Sequence, residues 1–402
     1  MPEVHHGPSS GAAHARADAF HDDIIYPASI PFVLVHLACF AAIWTGVTVE
    51  ALVICAVLYV VRMFGVTAGY HRYFSHRSFK TSRFGQFLLA LLAQSSAQRG
   101  ALWWAAIHRH HHLHSDTELD IHSPRHRGFL YSHVGWIFSR RNEKADYSAV
   151  PDLTRFPELV WLERHPYVTA AVLAVGCFLL AGWPGLVVGF FWSTVLLYHG
   201  TFMINSLAHV HGTQRYLTGD DSRNNWWLAL ITLGEGWHNN HHAYQRSTRQ
   251  GFRWWEIDPT FYVLKVLSWC RVVWDLGAPP PEVVRNEHRL GRKVVEKAAH
   301  QIVHSYPIER IAAQVRSAWA HTPTWEELKE RMRSAGEHAE AKIAAMHLPH
   351  LPTLEELRRR VEQMFAHAPT VSMDEIAERA RVLLAEAVTL HLFGGPEPLG
   401  AV

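Results

Sequence analysis

Two pairs of long apolar segments alternate with polar, histidine-rich segments along the first 280 residues of the chain. The first pair covers residues 31–49 and 51–70, and the second covers residues 168–184 and 186–207. Each segment approaches the roughly 20 residues that a helix needs to cross a bilayer. The link within each pair is short, and the second pair is broken at Ala181-Gly182-Trp183-Pro184-Gly185. The pattern predicts an all-α integral membrane protein with four transmembrane helices in two hairpins.

Shorter apolar stretches and a charged C-terminal region complete the pattern. Residues 84–97 are apolar over only 14 positions, which favours a re-entrant or interfacial helix over a membrane span. Residues 262–274 predict an amphipathic helix at the membrane interface. Beyond Pro279-Pro280-Pro281 the sequence becomes charged. We therefore predict three parts, namely a polar arm (1–30), a transmembrane domain with a helical cap (31–278) and a soluble helical extension (279–402).

The extension contains three capping-box patterns, in which Ser or Thr precedes Glu by three positions. They are Thr324 with Glu327, Thr353 with Glu356, and Ser372 with Glu375. Each pattern predicts the start of a helix. We interpret them as solvated amphipathic helices without a catalytic role.

The distribution of basic residues predicts the orientation in the membrane. The tips of the two hairpins carry no Lys or Arg, whereas residues 71–83 and the later polar regions are rich in them. By the positive-inside rule, both termini and the central polar region face the cytoplasm, as expected for a protein of the cell inner membrane. A net charge of +2 gives no reason to propose nucleic acid as a partner. The four cysteines lack CxxC spacing and are interpreted as packing residues.

Histidine is the compositional anomaly, with 31 residues in the chain. One motif places three imidazoles at i, i+3 and i+4, and it occurs twice; on a helix these rings share one face. A further pair of histidines follows the second apolar segment, and an Asn-x-x-x-His element ends the fourth. The resulting set is His71, His76, His108, His111, His112, Asn205, His209, His238, His241 and His242.

Nine imidazoles exceed the four to six or so ligands that one ion takes, so the set predicts two metal ions. A redox centre is favoured over a structural zinc, which needs only four ligands. Neutral imidazoles leave the metals more positive than the carboxylates of soluble di-iron bundles do, which suits an oxidising centre. Asp116, Asp120 and Glu235 are candidate acceptors for the free ring N–H groups, with ordinary loop carboxylates as the alternative.

The other histidines fall off this spacing. We interpret His36 as a packed or interfacial residue rather than a ligand, because no second histidine accompanies it. Six further histidines outside the extension are interpreted as interfacial or loop residues: His110, His114, His122, His126, His133 and His211.

The chain resembles the membrane fatty acyl desaturases of the stearoyl-CoA desaturase type. The resemblance rests on Gly-Tyr-His71-Arg-Tyr-Phe-Ser-His76, His108-Arg-His-His111-His112, Asn205-Ser-Leu-Ala-His209 and His238-Asn-Asn-His241-His242, in family order. It implies a cytosolic cap holding two irons, with the nine histidines as ligands and Asn205 reaching an iron through water. It further implies that dioxygen is the co-substrate and that a cis double bond is formed in an acyl chain, usually at the ninth carbon.

The resemblance also suggests substrate residues. Arg140-Arg141 matches a basic pair near the CoA phosphates, and Trp136 belongs to the same headgroup region. Ala106-Ile107 departs from a charged pair that animal members have before the second box. The basic pair favours acyl-CoA as the substrate, and the departure at Ala106-Ile107 keeps an acyl chain on acyl carrier protein or membrane lipid as the alternatives. Tyr59, Met63 and Trp104 are candidates for the acyl tunnel, with simple helix packing as the alternative for the first two.

Electrons are expected from a separate protein of the ferredoxin or cytochrome type. The chain has no His-Pro-Gly-Gly haem signature and no dinucleotide-binding glycine motif. Two rival functions stay open, a membrane di-iron hydroxylase and a metal-binding or transport protein. Transport would require ligands at bilayer depth, whereas the predicted ligands lie at one membrane surface.

Overall fold

The computed structural model describes residues 29–139, 142–320 and 351–393. They are mostly helical and divide into two compact units. The first unit contains the residues up to Arg215 and Asp220–Pro280, and the second contains Tyr216–Gly219 and the residues from Pro281 onward. Nearly all of the predicted N-terminal arm, the Arg140-Arg141 pair and the Thr324 capping box lie outside the described residues.

The first unit begins with a helical hairpin. An apolar helix covers Ile30–Thr45, with a 3-10 turn at Cys39–Ala41. A second helix covers Val49–Ser75 and is long and apolar enough to cross a membrane. It is α-helical over Val49–Phe64, where the Thr48 side chain caps its first turn, and π-helical over Gly65–Ser75.

A second hairpin lies within the apolar stretch Val168–His209. Its 42 residues would span about 60 Å as one straight helix, twice the thickness of a bilayer core. Ala181 and Gly182 instead leave the helical conformation, Gly182 with a φ of +58° that favours glycine. The chain therefore reverses inside the break that the sequence predicts. Its helices are Val168–Pro184, Gly185–Trp192 in π form and Ser193–Ser206, followed by the 3-10 turn Leu207–His209.

Short helices and connections build the rest of the first unit. The predicted helix at 84–97 is confirmed as Arg83–Gln94. The other helices are Ala101–His114, Pro124–Arg127, Phe129–His133, Pro151–Thr154, Pro157–Arg164, Trp226–Ile231, His238–Ala243 and Pro259–Trp269, with 3-10 turns at Gly135–Phe138 and Tyr147–Ala149. The expectation of one helix up to residue 274 is wrong. Arg271 takes a φ of +57°, and Val273–Trp274 then pairs antiparallel with Lys80–Thr81.

The main core of the first unit surrounds the π-helical end of the Val49–Ser75 helix. All residues of Gly65–Ser75 are buried. They pack on the Arg83–Gln94 helix at a distance that only a small residue allows, since a Cβ at Gly65 would lie 2.8 Å from Leu92 Cγ and 3.0 Å from the Ala93 nitrogen. Small residues at such contacts let two helices approach closely.

The second unit is built from the helices Pro281–Val284, Arg292–His304, Ile308–Ala320, Leu354–Met364 and Thr370–Phe393. Ala298, Ile302, Leu357 and Ile376 lie in its core. The capping box of Thr353 and Glu356 is confirmed, because both reciprocal hydrogen bonds form. The box at Ser372 is wrong. The helix already begins at Thr370, and the Ser372 hydroxyl accepts a hydrogen bond from the backbone nitrogen of Leu290.

The contact at Gly65 gives a stability prediction. Replacing Gly65 by Ala should destabilise the protein, since overpacking costs about 1–3 kcal/mol and outweighs the gain of roughly 1 kcal/mol in helix propensity. Gly176 is the matched control, because a Cβ there meets nothing within 4 Å. Thermal unfolding of the detergent-solubilised protein should show a lower midpoint for Gly65→Ala and no loss for Gly176→Ala. Equal midpoints would contradict the proposed close packing.

Candidate metal centre

The structure brings the nine predicted histidines together in two clusters. Within each cluster the candidate ligand atoms lie within 4.8 Å of one another. We call them the five-histidine cluster and the four-histidine cluster. The first contains His71, His76, His108, His112 and His241, and the second contains His111, His209, His238 and His242.

Each repeated motif divides its rings between the two clusters. His108 and His112 face the five-histidine cluster, whereas His111 faces the four-histidine cluster. The second motif does the reverse, because His238 and His242 share one cluster and His241 joins the other. Around the axis of an α-helix, the side chain at i+4 is rotated by about 40° from the side chain at i. The side chain at i+3 is rotated by about 60° in the opposite direction. The spacing therefore presents one motif to two neighbouring centres.

The π-helical segment explains how His71 and His76 meet. Five residues would offset two side chains by about 140° on an α-helix. The wider turn reduces that offset, and His76 N donates to the His71 carbonyl, five residues earlier, at 3.2 Å. The two ring centroids lie 4.9 Å apart. The local helix type thus directs both rings to the same cluster.

The ring nitrogens of the five-histidine cluster converge on a common centre. In the order His71, His241, His112, His108 and His76, successive Nε2 atoms lie 2.9–3.0 Å apart. A ring nitrogen with a hydrogen has no free lone pair, and a single N–H cannot serve two neighbours. Protons therefore cannot satisfy all of these contacts. Ligands at right angles around an ion, each bound at about 2.1 Å, would be about 3.0 Å apart, so the spacing fits a metal ion.

The opposite ring nitrogens are held by buried carboxylates. Asp120 accepts from His111 Nδ1 at 3.1 Å, and Asp116 accepts from His209 Nδ1 at 2.7 Å. Glu235 pairs with His71 Nδ1. Each of these contacts directs Nε2 into a cluster, as outer contacts do in metal sites. The three carboxylates singled out in the sequence thus all contact rings of the clusters.

Asp220 plays the same part and was missed by the sequence analysis. It accepts from His242 Nδ1 at 2.7 Å. His242 Nε2, on the cluster side, is buried without a hydrogen-bond partner in the described part of the chain. A buried unpaired nitrogen is costly unless a ligand occupies that side. Asp220 is 22 residues from His242, so no local spacing identifies it.

Burial sets the protonation of the site. It lowers the pKa of His76, His108 and His112 well below the usual value, and neighbouring rings lower it further. These rings are neutral, which is the form of imidazole that binds metal ions. Burial raises the pKa of Asp220, but the facing His242 outweighs that effect and keeps this pKa well below its usual value.

His122 is a second residue that the sequence analysis missed. It is buried, its ring centroid lies 4.5 Å from that of His111, and its Nδ1 lies 3.6 Å from Asp120. Burial lowers its pKa to about 3. The sequence analysis interpreted His122 as an interfacial or loop residue, because it stands ten residues beyond the nearest motif.

A carboxylate positions the helix that carries the first motif. Glu163 Oε2 accepts from the backbone nitrogens of Leu102 and Trp103 at 3.1 and 3.0 Å. These nitrogens belong to the first turn of Ala101–His114. A negative group there satisfies free N–H groups and interacts favourably with the helix dipole.

The second motif is held by its own two asparagines. The Asn240 amide donates to the Gln250 carbonyl at 2.9 Å and to Glu256 Oε2 at 2.8 Å. Asn239 Oδ1 accepts from the Arg215 nitrogen at 2.7 Å. Both asparagines are fully buried. In the sequence His-Asn-Asn-His-His, the three histidines therefore belong to the clusters and the two asparagines hold the helix in place.

A cavity lined by aromatic and polar side chains reaches the five-histidine cluster at His108. Trp104, Trp136 and Phe202 line it, and His108, His122 and Asn205 also line it. The Trp104 ring is stacked on His108 with centroids 4.9 Å apart. Polar side chains, including Arg99, Ser139, Asn142 and Glu143, line the cavity as well.

The other two tunnel candidates do not line this cavity. Met63 lies in the main core. The Tyr59 hydroxyl donates to the Ile231 carbonyl at 2.6 Å. Trp104 and Trp136 thus face the cavity, whereas Tyr59 and Met63 lie elsewhere in the same unit.

The fatty acid desaturase profile matches residues 48–267, more than half of the chain. The chain belongs to the fatty acid desaturase family. An acyl-CoA 5-desaturase of Anemone leveillei is 39% identical over 246 residues, which make up 60% of this chain and 73% of that protein. The sn-2 palmitoyl-lipid 9-desaturase of Nostoc sp. (strain 36) is 38% identical over 223 residues, which make up 54% of this chain and 78% of that protein. The sn-1 stearoyl-lipid 9-desaturase of Anabaena variabilis is 39% identical over 205 residues, which make up 51% of this chain and 75% of that protein.

Family membership confirms the resemblance found in the histidine motifs. The matched range of this desaturase contains both clusters and the carboxylates that contact them. It makes the protein an oxidoreductase of lipid metabolism. Two of its helical stretches are long and apolar enough to cross a membrane, which agrees with membrane association.

The contact of Glu163 gives a second prediction. Glu163→Ala should lower the stability of the desaturase by about 0.5–2 kcal/mol, because two N–H groups of the first turn lose their acceptor. Glu158→Ala is the matched control, since Glu158 pairs with Arg83 across an exposed surface and such pairs contribute little. Thermal unfolding of the two variants measures the difference. A larger loss for Glu158→Ala would contradict the positioning role of Glu163.

Proposed function

We propose that the protein is an oxygen-dependent acyl desaturase that introduces a cis double bond, at the ninth carbon, into a saturated acyl chain. The observation that carries this proposal is a cavity with an aromatic wall that reaches one of two adjacent clusters of converging imidazoles, at His108. A cavity of this kind suits an alkyl chain, and the clusters suit two oxidising ions. Relatives named as 9-desaturases support the position of the double bond.

The five-histidine and four-histidine clusters would each hold one iron. Asn205, which lines the cavity four residues before His209, would add a contact through water to the four-histidine cluster. Two irons held there would supply the activation of dioxygen and the removal of hydrogen from two adjacent methylenes. Asp116, Asp120, Asp220 and Glu235 hold the rings in the tautomer that presents Nε2 to the metals.

The protein's own contribution to the reaction is positioning. An unactivated C–H bond is selected because the cavity walls hold it beside the oxidant. Trp104 is placed for this role, since it lines the cavity and is stacked on His108. Apolar walls also exclude water from the reacting methylenes.

The polar part of the cavity would receive the carrier of the acyl chain. Arg99 and Asn142 line the cavity, and the Arg140-Arg141 pair lies next to Asn142 in sequence. Arg binds phosphate groups in a bidentate manner. We propose acyl-CoA as the carrier, with a lipid-linked or acyl-carrier-protein-linked chain as the alternative that the names of the Nostoc and Anabaena relatives favour.

The two hairpins would form four membrane spans. Each hairpin is closed by a short turn, and the polar, histidine-rich segments follow their ends. The cap and both termini would face the cytoplasm of a cell whose inner membrane holds the protein. A ferredoxin or cytochrome type of protein would supply electrons one at a time.

Expression in a host that lacks this activity tests the function. Metal analysis of the purified protein should find about two irons per chain, and gas chromatography of host lipids should find new mono-unsaturated acyl chains. His111→Ala should abolish the new products. Hydroxylated chains would instead support a hydroxylase, and iron without any altered lipid would support a metal-binding protein.

Asp220 offers a test that does not depend on turnover. Asp220→Asn should weaken metal binding by roughly 10–100-fold, because an amide oxygen that still accepts from the Ser222 nitrogen leaves the neutral NH2 group, a donor, facing His242 Nδ1. Asp221→Asn is the matched control, since the Asp221 side chain pairs with Arg125 at the surface. Titration with a chelator, followed by metal analysis, measures both variants. Equal retention in the two variants would contradict the role of Asp220.

A further inference from the structure

Three histidines outside the metal clusters form a connected row. His36 lies on the Ile30–Ala38 helix, His199 on Ser193–Ser206 and His133 on Phe129–His133. His36 Nε2 lies 3.2 Å from His199 Nε2, and His199 Nδ1 lies 2.9 Å from His133 Nε2. We call these three residues the histidine row. It joins elements from three distant parts of the chain.

The two ends of the row are also bonded. His36 Nδ1 lies 2.7 Å from the Phe32 carbonyl, and His133 Nδ1 lies 3.0 Å from the Ser206 hydroxyl. Ser206 Oγ in turn lies 3.0 Å from the Phe202 carbonyl. Both ends therefore terminate on backbone carbonyls, which only accept hydrogen bonds. A proton can enter and leave the row only at the three rings, each of which is partly exposed.

The row differs in geometry from the metal clusters. Each ring in the row uses its two nitrogens for two different partners on opposite sides. The ring centroids are 5.4 Å apart for His36 and His199, and 5.1 Å for His133 and His199. In the five-histidine cluster, by contrast, the centroids of successive rings are 4.3–4.9 Å apart at nitrogen distances of 2.9–3.0 Å, shorter than in the row at similar nitrogen distances. Nitrogens in the row thus point at each other, as hydrogen-bonded nitrogens do, rather than at a shared centre.

Counting hydrogens defines what the row can bind. Five contacts link the Phe32 carbonyl to the Phe202 carbonyl, and each needs one hydrogen. Three neutral imidazoles and the Ser206 hydroxyl provide four. In the neutral state Ser206 donates to His133, and its contact with Phe202 is left without a hydrogen. One added proton completes all five contacts, and it can reside on any of the three rings.

The surroundings of the row are aromatic and close to the cavity. Phe32, Tyr198 and Phe202 line the cavity and also lie against the row, with the Phe32 centroid 4.3 Å from that of His36. Tyr198 is the titratable side chain that faces the row, and its hydroxyl donates to the Ala97 carbonyl at 3.0 Å. Within the described residues, no carboxylate, lysine or arginine contacts the three rings. Burial lowers the pKa of His133, while the Phe202 carbonyl opposes that effect.

We propose that His36, His199 and His133 form a proton relay behind the cavity wall, which holds one exchangeable proton and supplies it to the reaction. The proposal rests on the function proposed above. Ionisable groups within apolar helices are functional candidates by default, and imidazole is the side chain that exchanges protons near neutral pH.

The reaction requires protons from the protein side. Two C–H bonds on adjacent carbons break, a second C–C bond forms, and dioxygen is reduced to two waters. Four electrons and four hydrogens are needed. The acyl chain provides two electrons and two hydrogens, the electron-donor protein provides two electrons, and solvent provides two protons. The row would pass such protons along from ring to ring, and each transfer would reverse the direction of its hydrogen bonds.

A spectroscopic experiment tests proton sharing without turnover. The full-length protein in detergent, labelled with ¹⁵N-histidine, should show coupled ring signals for the row when the pH is lowered from 8 to 5. His36→Gln should remove one signal and shift the signals of His199 and His133. His165→Gln is the matched control, because His165 Nδ1 also bonds the carbonyl four residues earlier and its ring also stacks on that residue. It should remove one signal only. Identical spectra for the two variants, apart from the missing ring, would overturn the proposal.

A kinetic experiment tests the use of the proton. His133→Ala should slow desaturation by about tenfold or more and increase the solvent deuterium isotope effect, because proton transfer becomes limiting. Added 4-methylimidazole should restore much of the rate. His165→Ala should behave as wild type. A slow His133→Ala with an unchanged isotope effect and no rescue would show a merely structural role and overturn the relay. Absence of any desaturated product from wild type would instead refute the proposed function and leave the spectroscopic result standing.

Discussion

The structure depends on one electrostatic constraint, which is the convergence of imidazole lone pairs from four parts of the chain. In the five-histidine cluster the middle nitrogens each face two others at 2.9–3.0 Å. Hydrogen bonds cannot satisfy that arrangement, whereas a cation can. Folding the first unit without a metal therefore leaves unfavourable contacts at its centre. Metal binding and folding of this unit should accordingly be coupled.

The two clusters differ in the charge of the side chains that contact their rings. Three of the four rings in the four-histidine cluster contact a carboxylate, from Asp116, Asp120 or Asp220. In the five-histidine cluster Glu235 contacts His71, and Arg72 shares that carboxylate at 3.1 Å. Arg72 also pairs with Asp258. The surroundings of the four-histidine cluster are thus the more negative. Two ions held here would experience different fields even though all their direct nitrogen ligands are the same.

Much of this arrangement could be predicted from the sequence, and the limits have physical causes. The apolar pattern and the segment lengths were sufficient to predict the hairpin turn at Gly182 and the existence of the helix Arg83–Gln94. Spacing was sufficient to select the nine histidines, but not to divide them, because that depends on helix rotation and on the π-helical turn between His71 and His76. Asp220 and His122 were missed since their roles arise from tertiary packing. The capping box at Ser372 failed because Leu290 provides a competing donor.

The direction of ring nitrogens separates two uses of histidine that composition alone cannot distinguish. In a metal cluster, one nitrogen of each ring faces the common centre and the other contacts a carboxylate or remains free. In the histidine row, His199 uses both nitrogens to bind other rings. A ring with both nitrogens engaged in this way cannot join a shared ion, and a ring whose nitrogen faces several lone pairs cannot pass a proton. The same side chain would therefore support ion binding in the two clusters and proton transfer in the histidine row, according to how the backbone orients it.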